Sequence, residues 1–494
     1  MSGAETPGLG APGLGGRVLR GATWAYASYV AGRALVLITT VVLARLLSPQ
    51  EFGLVALALV FTALLETVKD LGVTQALIVD RGDGEARAST AFVFTLAAGA
   101  LLWGLTAGLG PVAADFFDEP ELPSLLALLG ANFVLRALGA THYALAQKRL
   151  DFKARAAAET ADVLVRGTTG IGLALAGFGA YSLVAGYLAG TVALTAVLWR
   201  RVAFRPARRE IRREHLSSLV RFGGTLTAVD VTAAVNSQVD NIFVGRVLGT
   251  AALGLYSIAF RLPELLIRNV ALVAGQVLFP AFATLDREAL GRGFVTALRL
   301  TAVVALPLAV GLAVLAEPFV RALFGDQWLG AIDAMRVLAA FGLATALNVP
   351  AGSAYKATGR AGALLVLSVP RGLLLVGGLL VFADDGLVAV ALCQTVTALA
   401  AAIAAAVLAA RLLGVPARAF ARALWAPVVA SAAAAAVLLG VNAALESWAA
   451  LALGVALGIP VYAGVTLLLA PDVAATARGL RGGRRPASEP GSAG

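Results

Sequence analysis

Arginine keeps its charge in any surroundings a protein offers, and its planar fork binds phosphate or carboxylate oxygens in pairs. In this sequence Arg33, Arg136, Arg261, Arg268 and Arg371 stand inside long apolar runs. Other ionisable residues accompany them at helical spacings. Glu66, Lys69 and Asp70 share one helix face, as do Arg261, Glu264 and Arg268. Asp162 and Arg166 are four apart, and Asp230 and Asp240 lie in a later run. An ionisable group at the centre of a bilayer costs about 2.5–3.5 kcal/mol on an insertion scale, so it faces a cavity or a partner. On one reading the five arginines line a cationic cavity for an anionic substrate. Glu66, Lys69, Asp70, Asp230, Asp240 and Glu264 are then counter-charges, or groups that couple to H⁺ or Na⁺. On the other reading the charges are structural ion pairs, which is preferred for Glu66 with Lys69 and for Asp162 with Arg166. Arg33, Arg136 and Arg268 have no obvious neighbour on their own helix and favour the cavity.

The apolar runs are the elements that must position these charges. Of 494 residues, 59% are hydrophobic and only 14% charged, against roughly 25% charged in a soluble globular chain. The runs repeatedly reach the about 17–25 residues that cross a hydrocarbon core. Lipid cannot satisfy backbone polar groups, so each run must be a helix. The short alternating segments of a β-barrel do not occur. The expected fold is an all-α polytopic membrane protein of about fourteen spans. They lie near 22–46, 51–79, 88–110, 121–146, 159–178, 181–199, 217–245, 251–281, 294–316, 331–355, 361–383, 386–410, 422–444 and 447–470. Pro49, Pro111 and Pro120 fall at span ends, and Pro263, Pro307, Pro350, Pro370 and Pro460 predict kinks.

Lysine and arginine gather in alternate connections, which orients the chain. The segment 147–158 holds Lys148, Arg149, Lys153 and Arg155, and 200–214 holds Arg200, Arg201, Arg205, Arg208, Arg209, Arg212 and Arg213. The connection 111–121 carries Asp115, Asp118, Glu119 and Glu121 and no basic residue. Arg45, Arg246 and Arg321 are the exceptions, near outer ends. The expectation is a multi-pass protein of the plasma (inner) membrane with both termini cytoplasmic. The formal charge of +10 then reflects topology and anionic head groups rather than nucleic acid.

The chain also repeats itself. VVLARLLSPQEFGLVALAL at 41–59 aligns with FVGRVLGTAALGLYSIAF at 243–260. Arg45 with Arg246, Leu47 with Leu248 and Gly53 with Gly254 each stand 201 residues apart. GAYSLVAGYL at 179–188 matches DGLVAVALCQ at 385–394 more weakly. Parallel six-helix repeats imply two lobes. The plan is an N-lobe at 17–199, a basic cytoplasmic linker at 200–216, a C-lobe at 217–410 and two further spans within 411–470. Residues 1–16 and 471–494 read as disordered cytoplasmic tails, and the first lacks the positive start of a signal peptide.

Several chemistries have no residues to carry them. His142 and His215 are isolated, Cys393 is the one cysteine, and no HExxH or GxxxxGK[ST] motif occurs. No metal, cofactor or catalytic residue is expected, and the chain is not expected to be an enzyme.

The stretch LARLLSPQEFGLVALALVFTALLETVKDLG at 43–72 resembles the opening of the oligosaccharide flippases of bacterial polysaccharide biosynthesis. These belong to the multidrug/oligosaccharidyl-lipid/polysaccharide exporter superfamily. VRALFGDQWLGA at 320–331, AYKATGRAGALL at 354–365 and VGRVLGTAALGLYSIAFRLPE at 244–264 agree, so the resemblance spans roughly 17–470. It implies a V-shaped, two-lobed transporter moving a polyprenyl-diphosphate-linked glycan outward by alternating access. Membrane lipids, and polysaccharide polymerases or glycosyltransferases, would be its partners, and nucleic acid would not. The family's cavity is typically cationic, but no family motif transfers a binding role to a numbered residue. Two rival readings stay open: a cation-coupled multidrug antiporter of the same superfamily, which needs an acidic cavity, and a membrane-embedded glycosyltransferase or polymerase, which needs a larger outer loop.

Overall fold

In the computed structural model of the protein, the described residues are 32–67, Val73, Leu77, 84–149, 151–207, 234–268, Gly275, 278–360, 362–445 and 447–470. Lys69, Asp70, Asp230, His215 and both expected tails lie outside them. Every regular element among the described residues is helical.

The longer helices are α1 (32–46), α2 (Pro49–Glu66), α3 (Gly84–Phe117), α4 (Leu122–Lys148), α5 (Phe152–Leu175), α6 (Ala180–Arg201), α7 (234–243) and α8 (Thr250–Pro263). They continue with α9 (Arg287–Val314), α10 (Ile332–Ala357), α11 (Gly362–Phe382), α12 (Leu387–Leu413), α13 (Ala417–Ala444) and α14 (Ser447–Leu469). Local sequence sets several of these starts. Ser48 and Glu51 form a reciprocal capping box at α2 with Pro49 in the first turn, which satisfies otherwise unpaired amides. Asp151 and Asp286 cap α5 and α9 through Ala154 N and Ala289 N. Gly179 and Gly386 precede α6 and α12 with φ of 53° and 101°, a region open chiefly to glycine. These two glycines fall in the weaker pair of repeated segments.

Among the described residues, eleven helices are long and apolar enough to cross a membrane, and the protein is a multi-pass membrane protein. The other three expected spans correspond to α1 and α7, described over short stretches, and to α5. That helix carries Lys153, Arg155, Glu159, Asp162 and Arg166, too much charge for an apolar window. Pro111 does not end its helix as expected, because α3 runs through it to Phe117. A proline removes one backbone hydrogen bond, and the burial of Ala113 and Phe117 holds the following turn in place.

Two compact units divide the chain, Met1–Ser257 and Ile258–Gly494. In the first, α3 pairs with α4 and α5 with α6. Small residues set these distances, since lipid supplies no hydrophobic drive for helix association and packing must. A methyl on Gly99 would sit 2.8 Å from the Phe133 carbonyl oxygen, and one on Gly186 2.8 Å from that of Arg166. The stretch 234–257 belongs to this unit because its residues pack on α2 and the end of α3, Gly245 lying against Leu57 and Phe117.

In the second unit, α10 packs on α9 and α12, and α13 on α9 and α14. Tyr462 of α14 donates to the Val303 carbonyl of α9 at 2.7 Å. The segment 320–331 forms a π-helical turn, a glycine at φ 98° and a 3-10 turn with Trp328 wholly buried. Pro263 ends α8 in another π-helical turn, Glu264–Arg268. Such turns concentrate at functional positions.

Candidate functional site

In the first unit, four helices bring charges together. Arg136, midway along α4, places Nη1 3.4 Å from Oε1 of Glu66 at the end of α2. Its Nη2 donates to the Tyr187 hydroxyl of α6 at 3.4 Å. Arg166 of α5 lies with its guanidinium carbon 4.1 Å from the centre of the same ring. Its Nη2 donates to both oxygens of Asp162 at 2.8 Å. This is possible because α6 presents Gly190 where a methyl would strike the Asp162 carboxylate. Two guanidiniums thus meet at one tyrosine, each paired with a carboxylate, and among the described residues the group is balanced in charge rather than positive.

The Asp162–Arg166 pair is the structural pair expected from its spacing. Glu66 is different: its described ion pair is with Arg136 on another helix, not with Lys69, which lies outside the described residues. Among those residues, Nε of Arg136 is buried without a hydrogen-bond partner. The same holds for Nε of Arg166 and of Arg268.

Arg33 lies on α1 and is exposed. Asp240, at the end of α7, is buried and accepts from the Tyr256 hydroxyl at 2.9 Å and from the Asn241 amide at 2.9 Å. These contacts tie α7 to α8 just before the π-helical turn Val244–Leu248.

In the second unit, Arg268 is ion-paired with Glu264 within the turn after α8. It therefore has a partner on its own element, contrary to expectation, because the residues four apart in this turn face each other. Arg261 is half-buried on α8. Arg371 of α11 donates to the Gln394 amide oxygen of α12 at 3.0 Å and lies 5.9 Å from the Phe341 ring centre. Gln394 is itself buried.

Sequence reasoning missed Tyr187, Gln394 and Phe341. Tyr187 had a faint signal, a hydroxyl-bearing ring in an apolar span beside Gly186 and Gly190, where a helix can press against a charged neighbour. His142, isolated in sequence, stacks on Trp199 at 4.6 Å, and its Nε2 lies 3.2 Å from the Phe204 carbonyl.

These features define a polytopic membrane protein with partnered charges set into its spans. Residues 42–333 match the polysaccharide biosynthesis protein family, and the chain belongs to that family. It is 27% identical over 348 residues to the lipopolysaccharide biosynthesis protein WzxC of Escherichia coli, covering 70% of each chain. It is 27% identical over 381 residues to the teichuronic acid biosynthesis protein TuaB of Bacillus subtilis, covering 75% of this chain and 77% of that one. The fold is similar to that of the lipid II flippase MurJ in an inward closed conformation, with a TM-score of 0.75 at 14% identity over 91% of this chain and 99% of that chain. A multidrug resistance MATE transporter in an inward-facing conformation follows at 0.64, with 17% identity over 78% and 94%.

Proposed function

We propose that the protein is a flippase that carries a polyprenyl-diphosphate-linked oligosaccharide from the cytoplasmic to the outer leaflet, for cell-surface polysaccharide synthesis. The observation that carries this reading is a guanidinium set inside the spans of a polysaccharide biosynthesis family member, with Arg136 retaining a buried, unused donor. A diphosphate offers several acceptor oxygens, and arginine is the side chain suited to them. The names of WzxC and TuaB support polysaccharide synthesis as the setting.

Arg33, Arg136, Arg261, Arg268 and Arg371 are the residues assigned to the head group. Glu66, Lys69, Asp70, Asp230, Asp240 and Glu264 are assigned to counter-charge or ion coupling. On this reading Glu66 holds Arg136 while no substrate is bound, and the phosphate takes its place. The polyprenyl tail stays in lipid while two six-helix lobes, joined by the basic stretch 200–216, alternate in access. The chain lies in the plasma membrane with both termini cytoplasmic and works beside glycan polymerases or glycosyltransferases without being an enzyme itself. Deleting the gene should accumulate the lipid-linked oligosaccharide on the cytoplasmic side. Normal surface glycan in a deletion strain with no second family member would contradict the reading.

A further inference from the structure

The turn between α12 and α13 carries its charge on the helices rather than in the connection. α12 ends at Leu413 and α13 starts at Ala417, so Gly414, Val415 and Pro416 alone join them. These three are held firmly. Gly414 turns the chain with φ of 70°, and the Val415 amide donates to the Ala410 carbonyl at 2.9 Å. Val415 and Phe420 pack on the core that contains Phe294 and Tyr355. Arg287, at the start of α9, donates from Nη2 to the Leu412 carbonyl at 2.8 Å.

Arg411, Arg418 and Arg422 flank this turn, and all three are exposed. Neither α12 nor α13 contains an acidic residue. Among the described residues no ion pair reaches any of the three arginines. The acids at the start of α9 are already committed, Asp286 to the Ala289 amide and Glu288 to Arg292. The basic segment 147–158 of the first unit differs, since it includes Asp151 and its Arg155 is paired with Glu159.

The bias of basic residues towards one side of a membrane requires only that they lie on that side. It does not account for their register. Arg418, Arg422, Trp425 and Val429 stand at i, i+4, i+7 and i+11, which keeps them on one face of α13, and all four are exposed. On α12, Val396, Ile403, Val407 and Arg411 share one exposed face in the same way. Each face is apolar along the span and becomes cationic at the shared turn. On α13 the exposed Trp425 stands between charge and hydrocarbon, where indole rings gather in membranes. This order of apolar, aromatic and cationic groups complements an anionic amphiphile, chain by chain and head by head. Guanidinium grips phosphate oxygens in pairs and keeps its charge beside lipid.

We propose that the α12–α13 turn binds an anionic phospholipid, with its phosphodiester held by Arg411, Arg418 and Arg422 and its chains lying along the exposed face of α13. On the orientation given above, the lipid comes from the cytoplasmic leaflet. The site stands apart from the arginines assigned to the substrate and depends on the membrane-spanning fold, not on the transport reading. Because Arg287 and the Phe294 core grip the same turn, the bound lipid fastens α9 together with α12 and α13.

The test titrates full-length protein in neutral detergent with phosphatidylglycerol and counts bound lipid by native mass spectrometry. Phosphatidylglycerol should saturate a first site at one molecule, and phosphatidylethanolamine with the same chains should not. Near a charged lipid each guanidinium is worth about fivefold, so the Arg411→Gln, Arg418→Gln, Arg422→Gln variant should bind on the order of a hundredfold more weakly. The Arg200→Gln, Arg201→Gln, Arg205→Gln variant loses the same charge elsewhere and should bind as the parent does. In the otherwise unaltered protein, phosphatidylglycerol with brominated chains should quench a part of the tryptophan emission that Trp425→Phe abolishes. That measurement decides the question even if the arginine variant fails to fold. Equal weakening in both triple variants, or equal binding of the two lipids, overturns the site in favour of diffuse attraction. Quenching unchanged by Trp425→Phe overturns the placement on α13. Displacement of phosphatidylglycerol by polyprenyl diphosphate at equal concentration makes the turn a surface for the substrate and overturns the phospholipid assignment. If the lipid binds as described while the protein moves no lipid-linked glycan, the site stands and the transport reading fails.

Discussion

Arg136 of α4 faces Glu66 of α2 at 3.4 Å, with both side chains about one-third exposed at 36% and 34%. The pair joins helices that are not consecutive, so it both fastens the first unit and fixes where a positive charge stands inside it. Removing either partner leaves the other charge poorly compensated. The cost should fall below the about 3–5 kcal/mol of a fully buried pair, since solvent screens what it reaches. Arg136→Ala and Glu66→Ala should each lower the unfolding temperature in detergent, and the double variant should lose less than the two losses added together. Strict additivity would show that the two residues do not interact.

Tyr187 should act on transport through Arg136. Tyr187→Phe removes the hydroxyl that Arg136 donates to but keeps the ring beneath Arg166. Side-chain hydrogen bonds within membranes average about 0.6 kcal/mol, which corresponds to roughly threefold in substrate affinity. Concentration dependence of flipping should show that change in half-saturation with the maximal rate retained. A fall in maximal rate alone would place Tyr187 elsewhere in the cycle.

Gly190 admits no side chain without displacing Asp162, and Gly186 none without displacing the Arg166 backbone. Gly190→Val should therefore separate α5 from α6 and cost about 1–3 kcal/mol, read as a lower melting temperature. A variant as stable as the parent would mean that the helices part freely and that their contact does not hold Arg166 on Tyr187.

Arg371 relies on the buried amide of Gln394. Gln394→Leu strips that acceptor and should weaken glycan export more than Gln394→Glu, which keeps an acceptor for the guanidinium. Equal export by the two variants would remove Arg371 from the substrate path.

Orientation has its own check. A cysteine at Asp384 should react with an impermeant reagent from the outside of cells, and one at Arg205 only from the inside. The opposite pattern would invert the topology.

Much of this architecture was legible because membrane helices announce themselves by length and by the absence of charge. The 201-residue offset paired Gly53 with Gly254, and the structure sets each against the first helical carbonyl of the other segment, Thr250 and Pro49. What the sequence left hidden was pairing. Glu66 has Lys69 at helical spacing on its own helix, yet it is joined to Arg136, because helix neighbours are set by packing that no local pattern encodes. Arg268 was read as lacking a neighbour although Glu264 stands four residues before it on the same face, the spacing that also joins Asp162 to Arg166. Tyr187, Gln394 and Phe341 went unnoticed because polar and aromatic residues acquire roles only when another helix delivers a guanidinium to them. Pro111 misled in the opposite direction, as a helix breaker that burial of the next turn overrides.

The central claim is that guanidiniums within the spans carry an anionic lipid-linked glycan, and purified protein in proteoliposomes tests it most directly. A fluorescent polyprenyl-diphosphate oligosaccharide is placed in the membrane, and its movement between leaflets is followed by quenching. The parent protein should move it well above the protein-free rate, and the Arg33→Ala, Arg136→Ala, Arg268→Ala variant should fall to that background while remaining folded. Flipping by the triple variant at the parent rate, or none by the parent, would contradict the account.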